Sequence, residues 1–179
     1  MRSLGPDERI VIIDPADSSL LDLPDFVTFR DPARWDPTRW PRARFVPHHP
    51  LDKKPYNELY ARIYDACRIW VLLDEARNVL PSNPPDEWWP LAVLIQGRKR
   101  SIGHLCCNTR PVLIDREIIS SAEHVACWAL QNRADRDYVA EAIGVPRETF
   151  STMLAQLPEH GFIYYRRHPR ILQACAPLG

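Results

Sequence analysis

The sequence has little glycine and no long apolar run. Only six of its 179 residues are glycine, and no apolar stretch approaches the roughly 20 residues that a membrane-spanning helix needs. Basic and acidic side chains balance at 23 each, so the overall charge predicts neither a nucleic-acid partner nor a membrane surface. The length is sufficient for one domain with a substantial core, and we expect residues 1–179 to form a single domain.

The cysteines lack the spacing of a metal site and are odd in number, which argues against a disulfide framework. The five are Cys67, Cys106, Cys107, Cys127 and Cys175. All lie in apolar surroundings, which is typical of reduced cysteines in the core of a cytoplasmic protein.

Proline, in contrast, is abundant. Eight of the 18 prolines lie between Pro15 and Pro55, in a stretch that is also rich in Arg, Asp and Trp. We interpret residues 15–55 as an irregular insertion with short strands near Val27–Phe29 and Phe45–Val46. The arginines and tryptophans of residues 30–44 suit either binding to nucleic acid or pairing of the arginines with Asp25, Asp31 and Asp36, and we favour pairing.

The remaining chain alternates between strand and helix patterns. Strands are predicted at 10–13, 69–73, 102–107 and 125–130. Helices are predicted at 56–68, 86–100, 115–122, 135–143 and 146–157. Residues 162–165 and 171–174 read as a closing hairpin. Strands separated by helices indicate a parallel α/β sheet, here with an antiparallel C-terminal appendix.

The most informative stretch is Ile69–Glu75, where an apolar run ends in two adjacent carboxylates. Such a run suits a central parallel strand that is buried on both faces. Acids at the carboxyl end of that strand lie in the crevice where open α/β sheets bind ligands. The alternative is that Asp74 and Glu75 open a helix and complement its dipole.

Other short motifs follow one another in a fixed order. They are Ile13-Asp-Pro15, Leu73-Asp-Glu-Ala76, Gln96-Gly-Arg-Lys-Arg-Ser-Ile-Gly103, Asn108-Thr-Arg-Pro111, Ile118–His124, Arg133-Ala-Asp-Arg136 and Leu157–Phe162. By this order and spacing, the chain from Arg9 to Phe162 resembles the P-loop ATPases of the HerA/FtsK type, especially the small HerA-like ATP-binding proteins of bacteriophages and mobile elements. The resemblance implies a RecA-like P-loop NTPase core with a mainly parallel sheet, helices on both faces and a C-terminal β-hairpin.

The resemblance also implies a function. We expect hydrolysis of ATP with Mg²⁺ in a homo-oligomeric ring, a hexamer, coupled to translocation of double-stranded DNA in phage genome packaging or mobile-element transfer. In such ATPases the first acid of the pair helps to hold Mg²⁺ and the second orients the attacking water. These roles fall here on Asp74 and Glu75.

Two arginines are candidates for contact with the γ-phosphate. The resemblance makes Arg98 an arginine finger that reaches the nucleotide of the neighbouring subunit, which stabilises charge in the transition state. The alternative for Arg98 is a solvated base at the end of a helix. Arg110 is the second candidate.

The sequence departs from the family at the phosphate loop. Gly-x-x-x-x-Gly-Lys-Ser/Thr occurs nowhere, and only nine residues precede Ile10. A strand, a phosphate loop and a helix need roughly 30 residues. We therefore expect that the chain lacks its N-terminal part. The alternative is a non-catalytic, degenerate ATPase-fold subunit that serves as a structural or DNA-binding scaffold.

A second departure concerns the residue that senses the nucleotide. The Gln-Arg-Pro of the family stands here as Thr109-Arg110-Pro111. Thr109 occupies the position of the glutamine. Asn108 is chemically closer to glutamine, but its side chain points to the other face if the strand continues. Both remain candidates for contact with the nucleotide.

Overall fold

The structure, a computed structural model, describes residues 8–18 and 23–177. The chain divides into two compact units, Met1–Thr109 and Arg110–Gly179. Whether the two fold as the one domain expected from the sequence stays a prediction. No helix in the described residues is long and apolar enough to span a bilayer.

Five parallel strands form the sheet of the first unit. They are β1 (Arg9–Ile13), β2 (Val27–Phe29), β3 (Arg42–Phe45), β4 (Ile69–Leu73) and β5 (Ile102–Cys106), and they lie in the order β2-β3-β1-β4-β5. Ile13 pairs with Phe45 on one side and Leu73 on the other, and Leu73 pairs with Cys106. The carboxyl ends of four strands therefore meet at one edge of the sheet.

One face of this sheet is covered by helix α1 (Lys53–Ala66). Tyr56 packs edge-on against Phe45, and Tyr60 stacks on His104 with ring centroids 6.0 Å apart. The helix begins three residues before the predicted start because the Asp52 side chain accepts the Lys54 N–H and caps it.

The opposite face of the sheet is more open. It carries Trp70 and Leu105, which are 41% and 57% exposed. The prediction of helices on both faces therefore stays a prediction for this face.

The helix predicted over residues 86–100 is shorter than expected. Helix α2 covers Trp89–Gln96, with Pro90 in its first turn as predicted. Gly97–Arg100 continues as a tighter 3₁₀ turn and ends at Ser101, which adopts a left-handed conformation with φ 58°.

The described residues of the second unit form three α-helices, a short 3₁₀ turn at Pro111–Leu113 and an antiparallel sheet. The α-helices and strands are α3 (Arg116–Ser121), α4 (Arg133–Ile143), α5 (Arg147–Ala155), β6 (His124–Trp128), β7 (Phe162–Arg166) and β8 (Ile171–Cys175), with the strand order β6-β7-β8. Gly144 ends α4 with φ 69°, a conformation that glycine adopts without a Cβ penalty. The predicted C-terminal hairpin is confirmed by the pairing of β7 with β8.

In the proline-rich insertion, arginines pair with acids. Arg30 contacts Asp17 at 2.8 Å, and Arg44 contacts both Asp14 and Asp17. Trp35 is only 2% exposed and therefore belongs to the core. The arginines therefore pair with acids, but Arg30 and Arg44 use Asp14 and Asp17 instead of the acids expected from the sequence. Of the expected acids, Asp31 lies 3.8 Å from Arg34.

Candidate functional site

Asp74 and Glu75 lie at the carboxyl edge of the sheet, in a tight turn directly after β4. Glu75 adopts a left-handed backbone with φ 47°, which costs an L-residue roughly 1–2 kcal/mol. Two hydrogen bonds hold the turn: the Glu75 N–H donates to Asp74 Oδ1 at 3.0 Å, and the Ala76 N–H donates to the Cys107 carbonyl at 2.9 Å. A strained residue that its surroundings hold in place is typical of functional sites.

The Glu75 carboxylate is half-buried and incompletely satisfied. Its Oε2 forms an ion pair with Arg77 Nε at 3.3 Å, without a hydrogen bond. The same oxygen is shielded from solvent and has no hydrogen-bond partner among the described residues. Because a buried acceptor without a partner is costly, this oxygen is available to a water or ligand in the crevice.

Asn108 brings an unsatisfied donor to the same edge. Its Oδ1 accepts the Arg77 N–H at 3.2 Å, which ties the end of β5 to the turn after β4. Its Nδ2 is shielded from solvent and finds no partner in the described part of the chain. Thr109 follows as an exposed residue. Asn108, rather than Thr109, therefore hydrogen-bonds to the loop that carries Glu75.

A third acid at this edge, Asp14, received no role from the sequence. It follows β1, is fully buried, and accepts hydrogen bonds through Oδ2 from Arg44 Nε at 3.2 Å and the Ser18 N–H at 2.9 Å. Its Oδ1 has no partner among the described residues. The signal was present in the sequence, because Asp14 ends an apolar strand just as Asp74 does.

The expectation that every cysteine belongs to the core holds fully only for Cys127, since Cys107 is exposed and the other three are partly exposed. Partial burial of the Cys107 thiol raises its pKa, and the nearby Asp74 carboxylate raises it further. The thiol therefore stays protonated at neutral pH and adds no negative charge to the edge.

The carboxylates do not form a metal site by themselves. Within residues 8–18 and 23–177, no group of three or more His, Cys, Asp or Glu side chains is placed to hold a metal ion. Mg²⁺ commonly keeps several waters and uses one or two carboxylates together with the phosphates of a substrate. Asp74 fits such a shared site, and the other ligands would have to come from phosphates and water.

Arg98 lies at the opposite edge of the sheet from Asp74. It belongs to the turn before β5, whereas Asp74 follows β4, and these neighbouring strands run parallel in register. Five residues of strand separate the two edges by about 16 Å. The structure therefore does not bring Arg98 to the acids of its own chain. Its guanidinium makes no ion pair or hydrogen bond with the described residues.

Arg110 belongs to the second unit, where an acid holds it in place. Its Nε donates to Asp135 Oδ2 at 2.8 Å, while Oδ1 of the same carboxylate accepts the Val112 N–H at 3.1 Å. Asp135 is 2% exposed. The sequence did not predict that Asp135 holds Arg110 in place.

The strand order defines an α/β protein with a mainly parallel sheet, and the acids lie at the edge where such sheets generally bind ligands. No protein-family model matches the chain. A comparison with curated proteins also finds no match.

Solved structures do match. The genome packaging NTPase B204 from Sulfolobus turreted icosahedral virus 2, in complex with AMPPCP, superposes with a TM-score of 0.75 over 96% of this chain and 84% of that chain, at 11% identity. Its complex with ATP-gammaS gives 0.74, over 97% and 84%, at 11% identity. The DNA-packaging ATPase B204 from Sulfolobus Turreted Icosahedral Virus gives 0.63, over 98% and 100%, at 12% identity. The predicted α/β fold class, with a mainly parallel sheet and a C-terminal hairpin, is confirmed, and the fold is similar to that of these packaging NTPases.

Proposed function

We propose that this chain is the ATPase motor domain of a HerA/FtsK-type machine that couples ATP hydrolysis to translocation of double-stranded DNA, in genome packaging or mobile-element transfer. The fold supports this, since the matched structures are packaging NTPases that were solved with ATP analogues. One observation carries the site: an unsatisfied acceptor on Glu75 and an unsatisfied donor on Asn108 lie beside Asp74 at the carboxyl edge.

Each residue at this edge has a distinct role in the proposal. Mg²⁺ bound with ATP would supply positive charge to the phosphates. Asp74 would hold the hydrated ion. Glu75 accepts a hydrogen bond from the attacking water at Oε2, which has no hydrogen-bond partner beside its ion pair with Arg77, orients that water and takes up its proton. Asn108 donates from Nδ2 to an anionic oxygen of the nucleotide.

Arg98 acts on the nucleotide of a neighbouring subunit. The 16 Å separation of the two sheet edges, about the length of a five-residue strand, exceeds the reach of an arginine side chain. A ring of identical subunits, which we take to be a hexamer, places the Arg98 edge of one subunit against the Asp74 edge of the next. We place this ring in the cytoplasm of the host cell.

One observation favours a second candidate function. The 179 residues contain no Gly-x-x-x-x-Gly-Lys-Ser/Thr loop, and such a loop supplies the backbone amides and the lysine that cradle phosphates. A subunit without it would keep the fold and its ring contacts as a structural or DNA-binding scaffold, without turnover.

If the reading frame extends upstream to a phosphate loop, the discriminating experiment uses that extended protein. In that protein Glu75→Gln keeps the side-chain shape and removes the carboxylate. ATP binding should stay near normal, and turnover should fall by roughly 10²-fold or more, the scale of a lost general base. Glu58→Gln, on the exposed side of α1, is the matched control and should change neither.

Two results would count against the motor. Unchanged turnover in Glu75→Gln would show that the acid only shapes the turn. If no in-frame upstream sequence supplies Gly-Lys-Ser/Thr, or if the extended protein hydrolyses no ATP, the scaffold is the better function.

A further inference from the structure

We propose that a groove at the amino edge of the parallel sheet is a second binding site, which takes the phosphates of a nucleotide unit on Arg68 and Arg98 and its base on Trp70. The ligand is either a single-stranded nucleic acid or the nucleotide held by an adjacent subunit, because both present phosphate next to an aromatic base. The second source rests on the proposed function; the first does not.

The groove encloses about 600 Å³ where β4 and β5 begin. It is lined by Glu8, Arg9, Arg68, Ile69, Trp70, Arg98, Ser101, Ile102 and Gly103. Three arginines and one glutamate give the groove a net positive charge, whereas the formal net charge of the whole chain is zero. Positive charge concentrated in a concave surface attracts anions more strongly than scattered charge does.

The three arginines of the groove differ in whether their guanidinium groups have a hydrogen-bond partner. Arg9 Nη1 donates to the Ala66 carbonyl at 3.1 Å, so its head group is tethered. The guanidinium groups of Arg68 and Arg98 make no ion pair or hydrogen bond with any residue that the structure describes. Elsewhere in the first unit, Arg30 and Arg44 pair with acids. Two unpaired guanidinium groups facing one groove are suited to phosphate, which arginine binds in a bidentate manner.

The floor of the groove is fixed rather than loose. Arg68 has a left-handed backbone, with φ 47°, and its N–H donates to the Arg100 carbonyl at 3.0 Å. The Ile69 N–H donates to the carbonyl of Ser101, whose φ is 58°. These bonds hold the starts of β4 and β5 together, so that Arg68 and Arg98 leave a rigid edge. Because the backbone is fixed, only the side chains of these arginines have to be ordered when a ligand binds, which lowers the entropy cost.

Trp70 provides an aromatic surface beside these cations. A Cβ added at Gly103 would lie 2.5 Å from the Cε3 and Cζ3 atoms of Trp70, so the indole rests directly on the glycine backbone. The side chain nevertheless remains 41% exposed. An aromatic ring beside a basic groove is the arrangement that binds unpaired bases irrespective of sequence.

The test uses the 179-residue chain as it stands, and the anisotropy of a fluorescein-labelled oligothymidylate of about 12 nucleotides at low salt. Arg68→Ala and Arg98→Ala should each weaken binding and reduce the slope of log K against log salt by about 0.7, the value for one lost phosphate contact on a single strand. Arg133→Ala removes an 84% exposed guanidinium from α4 and is the matched control, which should bind like the parent chain.

The aromatic contact is tested by two variants. Trp70→Leu removes the ring, and Gly103→Ala displaces it through the 2.5 Å contact. Both should weaken binding by about fivefold or more, the scale of one lost base stack. Circular dichroism and urea unfolding of each variant report whether the fold is intact.

Competition experiments distinguish a nucleic-acid strand from a nucleotide as the ligand of the groove. If ATP displaces the oligonucleotide at lower concentration than tripolyphosphate does, and Trp70→Leu removes that advantage, the groove takes a free nucleotide. If ATP and tripolyphosphate compete equally weakly and only the oligonucleotide depends on Trp70, the source is a nucleic-acid strand.

The proposal is overturned if the parent chain binds neither probe, or if the Arg68, Arg98 and Trp70 variants bind as the Arg133→Ala control does. Equal binding of a duplex of the same length, unaffected by Trp70→Leu, would also overturn the base contact. None of these measurements requires a phosphate loop, so failure here leaves the Glu75→Gln test of the motor unaffected.

Discussion

Arg110 and Asp135 form a hydrogen-bonded ion pair in which the acid is almost fully buried and the base is about half-exposed. Arg110 Nε lies 2.8 Å from Asp135 Oδ2, with side-chain exposures of 46% and 2%. The partners are therefore not equivalent. Asp135 depends on Arg110 to neutralise its buried charge, whereas Arg110 retains contact with solvent.

We predict that the two single substitutions differ in cost. Arg110→Ala leaves a buried carboxylate with only the Val112 N–H as partner, and such loss costs about 3 kcal/mol or more. Asp135→Asn leaves a neutral amide that still accepts that N–H and should cost about 1–2 kcal/mol. In urea unfolding, adding Asp135→Asn to Arg110→Ala should recover stability. If the double variant is less stable than Arg110→Ala alone, the unpaired Asp135 carboxylate is not the cause of the destabilisation.

The left-handed backbone of Glu75 predicts that glycine there is stabilising. Glu75→Gly relieves a φ of 47° and should raise the free energy of unfolding by about 1 kcal/mol. Glu58→Gly, in the middle of α1, should lower it by about 1 kcal/mol. Denaturant titration of both variants measures the change in the free energy of unfolding, which should be positive for Glu75→Gly and negative for Glu58→Gly. If Glu75→Gly is also destabilising, the turn stores no strain.

His104 predicts a loss of stability at acid pH. Burial against Tyr60 lowers its pKa from 6.5 to about 4. Below pH 6.5 the unfolded chain takes up a proton that the folded chain does not, so stability falls as the pH falls towards 4 and then levels off. The full loss is about 3 kcal/mol.

The measurement is urea unfolding between neutral pH and about pH 4.5. His104→Phe keeps an aromatic ring against Tyr60 and lacks the titrating nitrogen. As the pH falls across this range, the difference in the free energy of unfolding between parent and variant should therefore change by about 2–3 kcal/mol in favour of the variant. His160→Gln removes an 81% exposed imidazole and should leave the slope unchanged. The prediction is contradicted if the difference in the free energy of unfolding between the parent and His104→Phe does not change with pH.

For the 179-residue chain we predict no micromolar affinity for MgATP, because no Gly-Lys loop cradles its β-phosphate. Binding through the groove alone should be far weaker and should depend on Arg98 rather than on Asp74. Calorimetric titration of the parent chain tests this, with Asp74→Asn and Arg98→Ala as the comparison. Micromolar binding that is lost in Asp74→Asn would show that this edge holds the nucleotide without a phosphate loop.

The opposite positions of Arg98 and Asp74 predict complementation in mixed rings. In the extended protein, Arg98→Ala and Glu75→Gln should each be inactive alone. Mixed rings contain interfaces at which an intact Glu75 edge meets an intact Arg98, so part of the ATPase activity should return. Near-normal turnover of Arg98→Ala alone would make Arg98 an ordinary surface base. Absence of recovery despite proven co-assembly would argue against action across the interface.

Much of the architecture follows from the sequence. The apolar runs predict β1, β4 and β5, and the hairpin of β7 and β8 follows from two short patterned segments. Such elements are predictable because periodicity and strand-terminating residues act locally. The ends of helices were less predictable: Asp52 starts α1 early by capping it, and Gly97–Arg100 tightens into a 3₁₀ turn.

The sequence also determined which chemistry the carboxyl edge offers, because an apolar strand that ends in Asp74 and Glu75 places acids in a crevice in any parallel sheet. Only the tertiary structure decided which other groups lie beside these acids. Strand register set Asp14 beside the strand of Asp74, joined Asn108 to the Arg77 backbone, and put Arg98 on the far edge with Trp70. These relationships depend on contacts between residues far apart in the chain, and no local pattern encodes which polar atoms remain without a partner.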